Sequence, residues 1–244
     1  MERKLYRRVS RCESVYYVWD AAVRISHWIN VAAVAVLLTT GLYIGGGFFR
    51  PPTDRPSEDY MMATAMNLHF LAAVVFTLNG LFRAYWFFAG GTYRQWFRFN
   101  IWQADYWREV WWKLKDYLSL RFADYEPHTL GHNTLASFTY VVVFLVASFM
   151  GLTGFAMRGE INPGGFLNTL FGWVVPLLGG NNNVRMLHRL GMWLLIAFMI
   201  HHIVFVFYIE VLREKGLVSS MITGLKMRPV DWKPIEKPWE HERS

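Results

Sequence analysis

VRMLHRLGMWLLIAFMIHHIVFVFYIEVL, residues 184–212, decides the fold. Its charges stand only at the ends: Arg185 and Arg189 near the start, Glu210 near the close. The apolar stretch between them matches the ~20 residues a helix needs to cross a bilayer. Three further stretches read the same way. Residues 21–46 carry Arg24 and His27 near their start, residues 62–88 carry His69 near the start and Arg83 near the end, and residues 134–157 hold no charge. The spacing therefore predicts an all-α integral membrane protein built as a bundle of four transmembrane helices, spanning residues 21–212. It is flanked by an N-terminal segment, 1–20, and a C-terminal tail, 213–244.

Composition agrees with this. Of 244 residues, 54% are hydrophobic and 18% charged, against ~25% charged in soluble domains. That excludes a disordered chain and argues against a soluble enzyme. The lone Cys12 rules out an internal disulfide framework, a four-cysteine zinc site and any self-contained iron–sulfur cluster. The net charge of +7 reads as topogenic rather than as a footprint for nucleic acid. Segments 1–20, 90–131 and 213–244 hold eighteen Lys and Arg, whereas 47–61 and 158–183 hold three. Lys and Arg mark the cytoplasmic side. Both termini are therefore expected in the cytoplasm, with the two short loops outside. The first apolar run is too long for a signal-peptide core, so no cleavable leader is expected.

Three lesser segments have readings of their own. Trp107, Trp111, Leu114 and Leu118 recur at helical spacing among charges, which predicts an amphipathic helix on the membrane surface or packed on its own protein. Gly164–Gly180 is apolar, too short to span and interrupted by Pro176, and reads as an interfacial or re-entrant helix. The tail beyond Arg213, with Pro229, Pro234 and Pro238, reads as mostly extended.

An ionisable side chain inside a span is costly and is read first as functional. The topology sorts the histidines by depth. His69 and His188 fall near the outer face; His27 and the pair His201–His202 fall nearer the inner one. Fourteen residues put His188 and His202 about 21 Å apart along a helix, so one metal ion cannot use both. Two bis-histidine haems stacked across the membrane can. On a regular helix His202 shares a face with His188 and His201 does not. The expected pairs are therefore His69/His188 outside and His27/His202 inside. Gly41, Gly80, Ala147, Gly151 and Gly154 allow close approach to the backbone. Arg24, Arg185 and Arg189 flank ligand positions, either as headgroup anchors or as partners for haem propionates. The plain alternative for any single histidine is an interhelical hydrogen bond. A proton path would add carboxylates, and Glu210 is the only one in the spans. His128 and His132 read as a surface loop rather than a metal site, and His241 as solvated.

The segment Arg24-Ile25-Ser26-His27-Trp28-Ile29-Asn30, His69 in the second span, Gly131-His132-Asn133, and Met186-Leu187-His188-Arg189 with the following His pair resemble the b-type cytochrome subunit of membrane-bound nickel–iron hydrogenases. The resemblance covers nearly the whole chain. It extends more weakly to the cytochrome subunits of formate dehydrogenase and thiosulfate reductase. It implies two haems b, location in the inner membrane, a partner small subunit with iron–sulfur clusters, a large subunit bearing the nickel site, and quinone as electron acceptor. It implies electron transfer without a hydrogen-activating site in this chain. A partner on the outer side would dock on the outer segments, Gly164–Gly180 and the loop around Pro51–Tyr60, where an apolar, Trp-bearing stretch has surface to bury; the plain alternative for Gly164–Gly180 is a lipid-facing interfacial helix. By resemblance to formate dehydrogenase cytochromes, His132 and Asn133 stand near a quinone pocket; the plain reading of Asn133 is a helix N-cap. The rivals are a cytochrome b of formate dehydrogenase or another respiratory dehydrogenase, and a haem-free anchor or transporter.

Overall fold

The structure, a computed structural model, describes residues 13–46, 56–89, 100–119, 130–212 and 216–230. The basic residues through Cys12, the proline loop 47–55, His128, His241 and the tail from 231 lie outside the described residues. Helix α1 runs Ala21–Ile44, α2 Pro56–Ala89, α3 Ala104–Ser119, α4 Thr134–Gly159, α5 Phe166–Phe171, α6 Val174–Leu177, α7 Asn181–Leu212 and α8 Leu217–Thr223. Strands β1, Glu13–Tyr17, and β2, Leu225–Pro229, pair antiparallel. Four helices are long and apolar enough to cross a membrane: α1, residues 60–89 of α2, α4 and nearly all of α7.

The long helices form two pairs. α1 packs along α2 and α4 along α7, while contacts between the pairs are sparse. Within the first pair a buried polar knot fixes the register. Asn79 of α2 donates to the Ser26 carbonyl at 2.8 Å and to the Asn30 side chain at 2.6 Å. Such bonds satisfy polar groups that lipid would leave unpaired, and they tie helices together. α4 begins where Asn133 accepts from the Ala136 N–H at 2.8 Å, satisfying one of the free donors of a first helical turn.

One end of the bundle is closed by a cap that hydropathy did not foretell. The tail is not simply extended: it forms α8 before entering β2. The N-terminal segment supplies β1 rather than only a charged arm. Gly224 turns the chain from α8 into β2 at φ 84°, and its carbonyl accepts from the Val18 and Trp19 N–H groups. A Cβ there would lie 2.8 Å from both the Trp19 carbonyl and the Tyr17 ring, so only glycine fits. Trp19 donates to Ser220 Oγ at 3.1 Å and Trp28 to the Met221 carbonyl at 3.1 Å.

The cap is polar inside and apolar outside. Lys226 and Arg228 of β2 and Lys113 and Glu109 of α3 are buried, whereas Val15, Tyr17, Met227, Trp107, Trp111 and Leu118 are exposed. Trp111 and Leu118 of the stripe are exposed, whereas Trp107, only half exposed, meets Phe138 of α4 edge-on at 5.6 Å. At the other end the apolar loop is two short helices, α5 and α6, with Pro176 inside the second. Phe166, Leu170, Trp173 and Leu177 form an exposed row along them. The second span also starts earlier than hydropathy placed it, with helix from Pro56.

Candidate functional site: paired histidines at two depths

The cap end carries the first pair. His27 of α1 and His202 of α7 face each other with ring centroids 6.5 Å apart. Two imidazoles on opposite faces of one metal ion, with metal–nitrogen bonds of about 2.0 Å, have centroids roughly 6 Å apart. The spacing fits a shared iron and is too long for ring stacking. His202 stacks on Phe198 at 5.5 Å, and His27 meets Trp28 edge-on at 5.4 Å. His201 points elsewhere: it is exposed and stacks on Phe205 at 4.9 Å.

The second pair lies towards the other end. It comprises His69 of α2 and His188 of α7. Each ring is held by the neighbouring helix of its own pair. Thr40 Oγ1 of α1 lies 2.8 Å from His69 Nδ1, and Thr153 Oγ1 of α4 lies 2.8 Å from His188 Nδ1. A Cβ on Gly41 would come within 3.3 Å of the His69 ring, and one on Gly154 within 3.4 Å of the His188 ring. Gly80 faces open space, and Gly151 faces Thr77.

The donor set fits haem. Imidazoles of His27 and His202, and of His69 and His188, would supply the two nitrogen ligands that a bis-histidine haem needs at each depth, and glycines lie where the rings of His69 and His188 approach a helix. Among the described residues no three His, Cys, Asp or Glu cluster as a metal site. Glu210 is otherwise engaged, accepting from the Gly216 and Val218 N–H groups at 3.1 and 2.8 Å at the head of α8.

Of Arg24, Arg185 and Arg189, two are anchored to peptide carbonyls. Arg24 donates to the Ile222 carbonyl and Arg189 to the Gly45 carbonyl at the end of α1. Arg185 is exposed. Sequence reasoning passed over Arg83, which donates to the Val23 carbonyl at 3.2 Å and lies over the Tyr140 ring. The signal was available: a lone arginine inside a span calls for a partner.

His132 and Asn133 lie under the cap. Asn133 also donates to the Tyr117 hydroxyl at 2.7 Å, so both ends of its amide are in use. His132 is half-buried against Trp19, ring centroids 4.9 Å apart. Burial first, then the charges of Arg83 and Lys226, lower its pKa to about 3. The fold therefore binds fewer protons here than the unfolded chain, whose histidine titrates near 6.5. The resulting stability is full above pH 6.5 and is lost as pH falls towards 3. Thermal melts of the protein between pH 7 and 4 should show falling stability. His132→Gln should flatten that slope, and an unchanged slope would remove His132 as its cause.

A bundle of four membrane-length helices that carries histidines at two depths, with His27 and His202 facing each other, has the donor set of a membrane haem protein of the b type. The comparisons agree: residues 18–224 match the model of the family described as prokaryotic cytochrome b561. Similar proteins include the probable Ni/Fe-hydrogenase B-type cytochrome subunit of Cupriavidus necator, 38% identical over 86% of each chain. That of Azotobacter chroococcum is 32% identical over 89% of this chain and 90% of its own. The probable Ni/Fe-hydrogenase 1 B-type cytochrome subunit of Escherichia coli K12 is 34% identical over 86% of this chain and 90% of its own. The chain belongs to the prokaryotic cytochrome b561 family. It is a multi-pass membrane cytochrome, and the b-type assignment implies haem b.

Proposed function

We propose that this chain is the dihaem, membrane-anchoring subunit that links a periplasmic nickel–iron hydrogenase to the quinone pool of the inner membrane. The observation that carries the reading is the 6.5 Å spacing of His27 and His202; His69 and His188, each held by a threonine of the neighbouring helix, supply the second set of imidazoles at another depth. His27/His202 hold the inner haem and His69/His188 the outer one. When bound, each haem b supplies a one-electron couple. The residues of the chain set where those couples sit, exclude water from them and anchor their carboxylates. Arg24, Arg185 and Arg189 are the proposed propionate partners, and Arg83 joins them at the inner end.

Orientation rests on the eighteen-to-three bias of Lys and Arg, which puts the cap and both termini in the cytoplasm. The hydrogenase partner rests on the relatives' names and on the lone cysteine, which leaves hydrogen splitting and iron–sulfur chemistry to the small and large subunits. The exposed row Phe166, Leu170, Trp173 and Leu177, together with the loop around Pro51–Tyr60, is the proposed docking face for the small subunit. The quinone is placed near the inner haem, beside His132 and Asn133. Asn133 already caps α4 and binds Tyr117, so its part is to hold that wall of the pocket. The relatives' names favour hydrogenase over formate dehydrogenase, and the paired rings favour a haem carrier over a haem-free anchor or transporter.

Membranes containing the whole complex test this. Hydrogen should reduce a low-spin haem and drive quinone reduction. Deleting this chain should abolish quinone reduction while hydrogen oxidation with an artificial acceptor persists. Asn133→Leu should lower quinone-linked turnover with both haems kept. Haem reduction by formate but not hydrogen would transfer the chain to another dehydrogenase.

A further inference from the structure

The Thr–His contacts at the outer pair carry more than anchorage. Each hydroxyl has a single proton. Thr40 Oγ1 lies 2.6 Å from the Val36 carbonyl, and Thr153 Oγ1 lies 2.8 Å from the Phe149 carbonyl. A carbonyl can only accept, so the hydroxyl proton belongs between those two oxygens. Otherwise two lone pairs would face each other at hydrogen-bond distance. With its proton committed, the hydroxyl can only accept from the ring nitrogen 2.8 Å away. Nδ1 of His69 and of His188 must then carry the hydrogen, and Nε2 is left with its lone pair.

We propose that Thr40 and Thr153 lock His69 and His188 in the Nδ1–H tautomer, present Nε2 to the outer haem iron and set that haem's potential below that of the inner one. The inference rests on the dihaem reading above. Hydrogen bonding at the second nitrogen fixes the tautomer and ring orientation and raises the basicity of the ligating nitrogen. A more basic ligand favours the oxidised, more positively charged iron. The locks are built alike. Each threonine is followed by a glycine, Gly41 or Gly154, over which the same ring lies. Each bond runs inside a helix pair, α1 to α2 or α4 to α7, so each ring is held within its own pair. Thr153 is fully buried, so water does not compete for its hydroxyl.

Among the described residues no hydroxyl holds either inner ring. The contacts of His27 and His202 are with aromatic rings, Trp28 and Phe198 and each other. The asymmetry gives the two haems different midpoints, the outer one lower, which favours electron movement inwards from the docking face. Thr40 and Thr153 are positioning residues in this sense: they act through the histidines.

The experiment is an optical redox titration of the full chain, wild type against Thr40→Val, Thr153→Val and the corresponding serine variants. Haem retention is followed by transfer to excess apomyoglobin. The valine variants should raise the lower midpoint, shifting the one-to-one reduced-to-oxidised ratio at the wild-type midpoint several-fold towards reduced. Haem loss should quicken by roughly 10-fold or more, the scale of second-shell effects at metal sites. Serine keeps the hydroxyl and should restore both values. Unchanged midpoint and retention in the valine variants would overturn the inference while leaving the haem assignment standing. So would serine variants that behave like valine, including the case where valine variants fail to accumulate. Wild-type protein without haem, or with haem indifferent to His69→Ala, would instead remove the dihaem reading itself.

Discussion

His202→Ala is expected to halve the haem content of the chain, from two to one, whereas His201→Ala keeps both. At 100° per residue, the fourteen-residue step from His188 to His202 falls about 40° short of four full turns, and the step to His201 about 140° short. That calculation needs an unbroken helix, and α7 is continuous from Asn181 to Leu212. His202 consequently faces His27, while His201 lies on the exposed side against Phe205. Losing His202 leaves one imidazole on the inner side, which is insufficient for a low-spin bis-histidine centre. Haem per protein after purification reads the result directly. Loss in His201→Ala with retention in His202→Ala would reverse the assignment.

The second large effect is at His69. His69→Ala should remove the outer haem, keep the inner one, and reduce hydrogen-driven quinone reduction to background. His69 is the only contribution of α2 to the outer pair, and its ring fills the space over Gly41 and beside Met192. Alanine leaves Thr40 without its ring partner and removes the imidazole that α2 supplies. Haem stoichiometry together with hydrogen-to-quinone turnover decides it. Wild-type values for both would mean that His69 is an interhelical hydrogen-bonding residue and nothing more.

The bundle was legible because long apolar runs have one affordable structure in lipid. The rotation argument rests on regular helices keeping phase, and the structure brings His202 rather than His201 opposite His27. The cap was illegible for a related reason. Hydropathy assumes polar residues face water, yet β2 buries Lys226 and Arg228 and exposes Leu225 and Met227. An element lying between a membrane surface and a polar interior inverts the usual pattern, so charge and proline in the tail passed for extended solvated chain. α3 was found by its stripe, but which way the stripe faced required the buried Lys113 and Glu109. The threonine locks were invisible for another reason. Thr40 is twenty-nine residues from His69 and Thr153 thirty-five from His188, and only helix pairing brings them together. Asn133 was read in two ways, and its cap and Tyr117 bonds give the geometry of the plainer one.

The measurement that bears most directly on the central claim is the pyridine haemochrome stoichiometry of the purified full chain, combined with its oxidised and reduced spectra. Two haems b per chain, both low-spin in both redox states, are the predicted result. One haem per chain, none, or a high-spin centre open to exogenous ligands would contradict an arrangement in which His27/His202 and His69/His188 each close both faces of an iron.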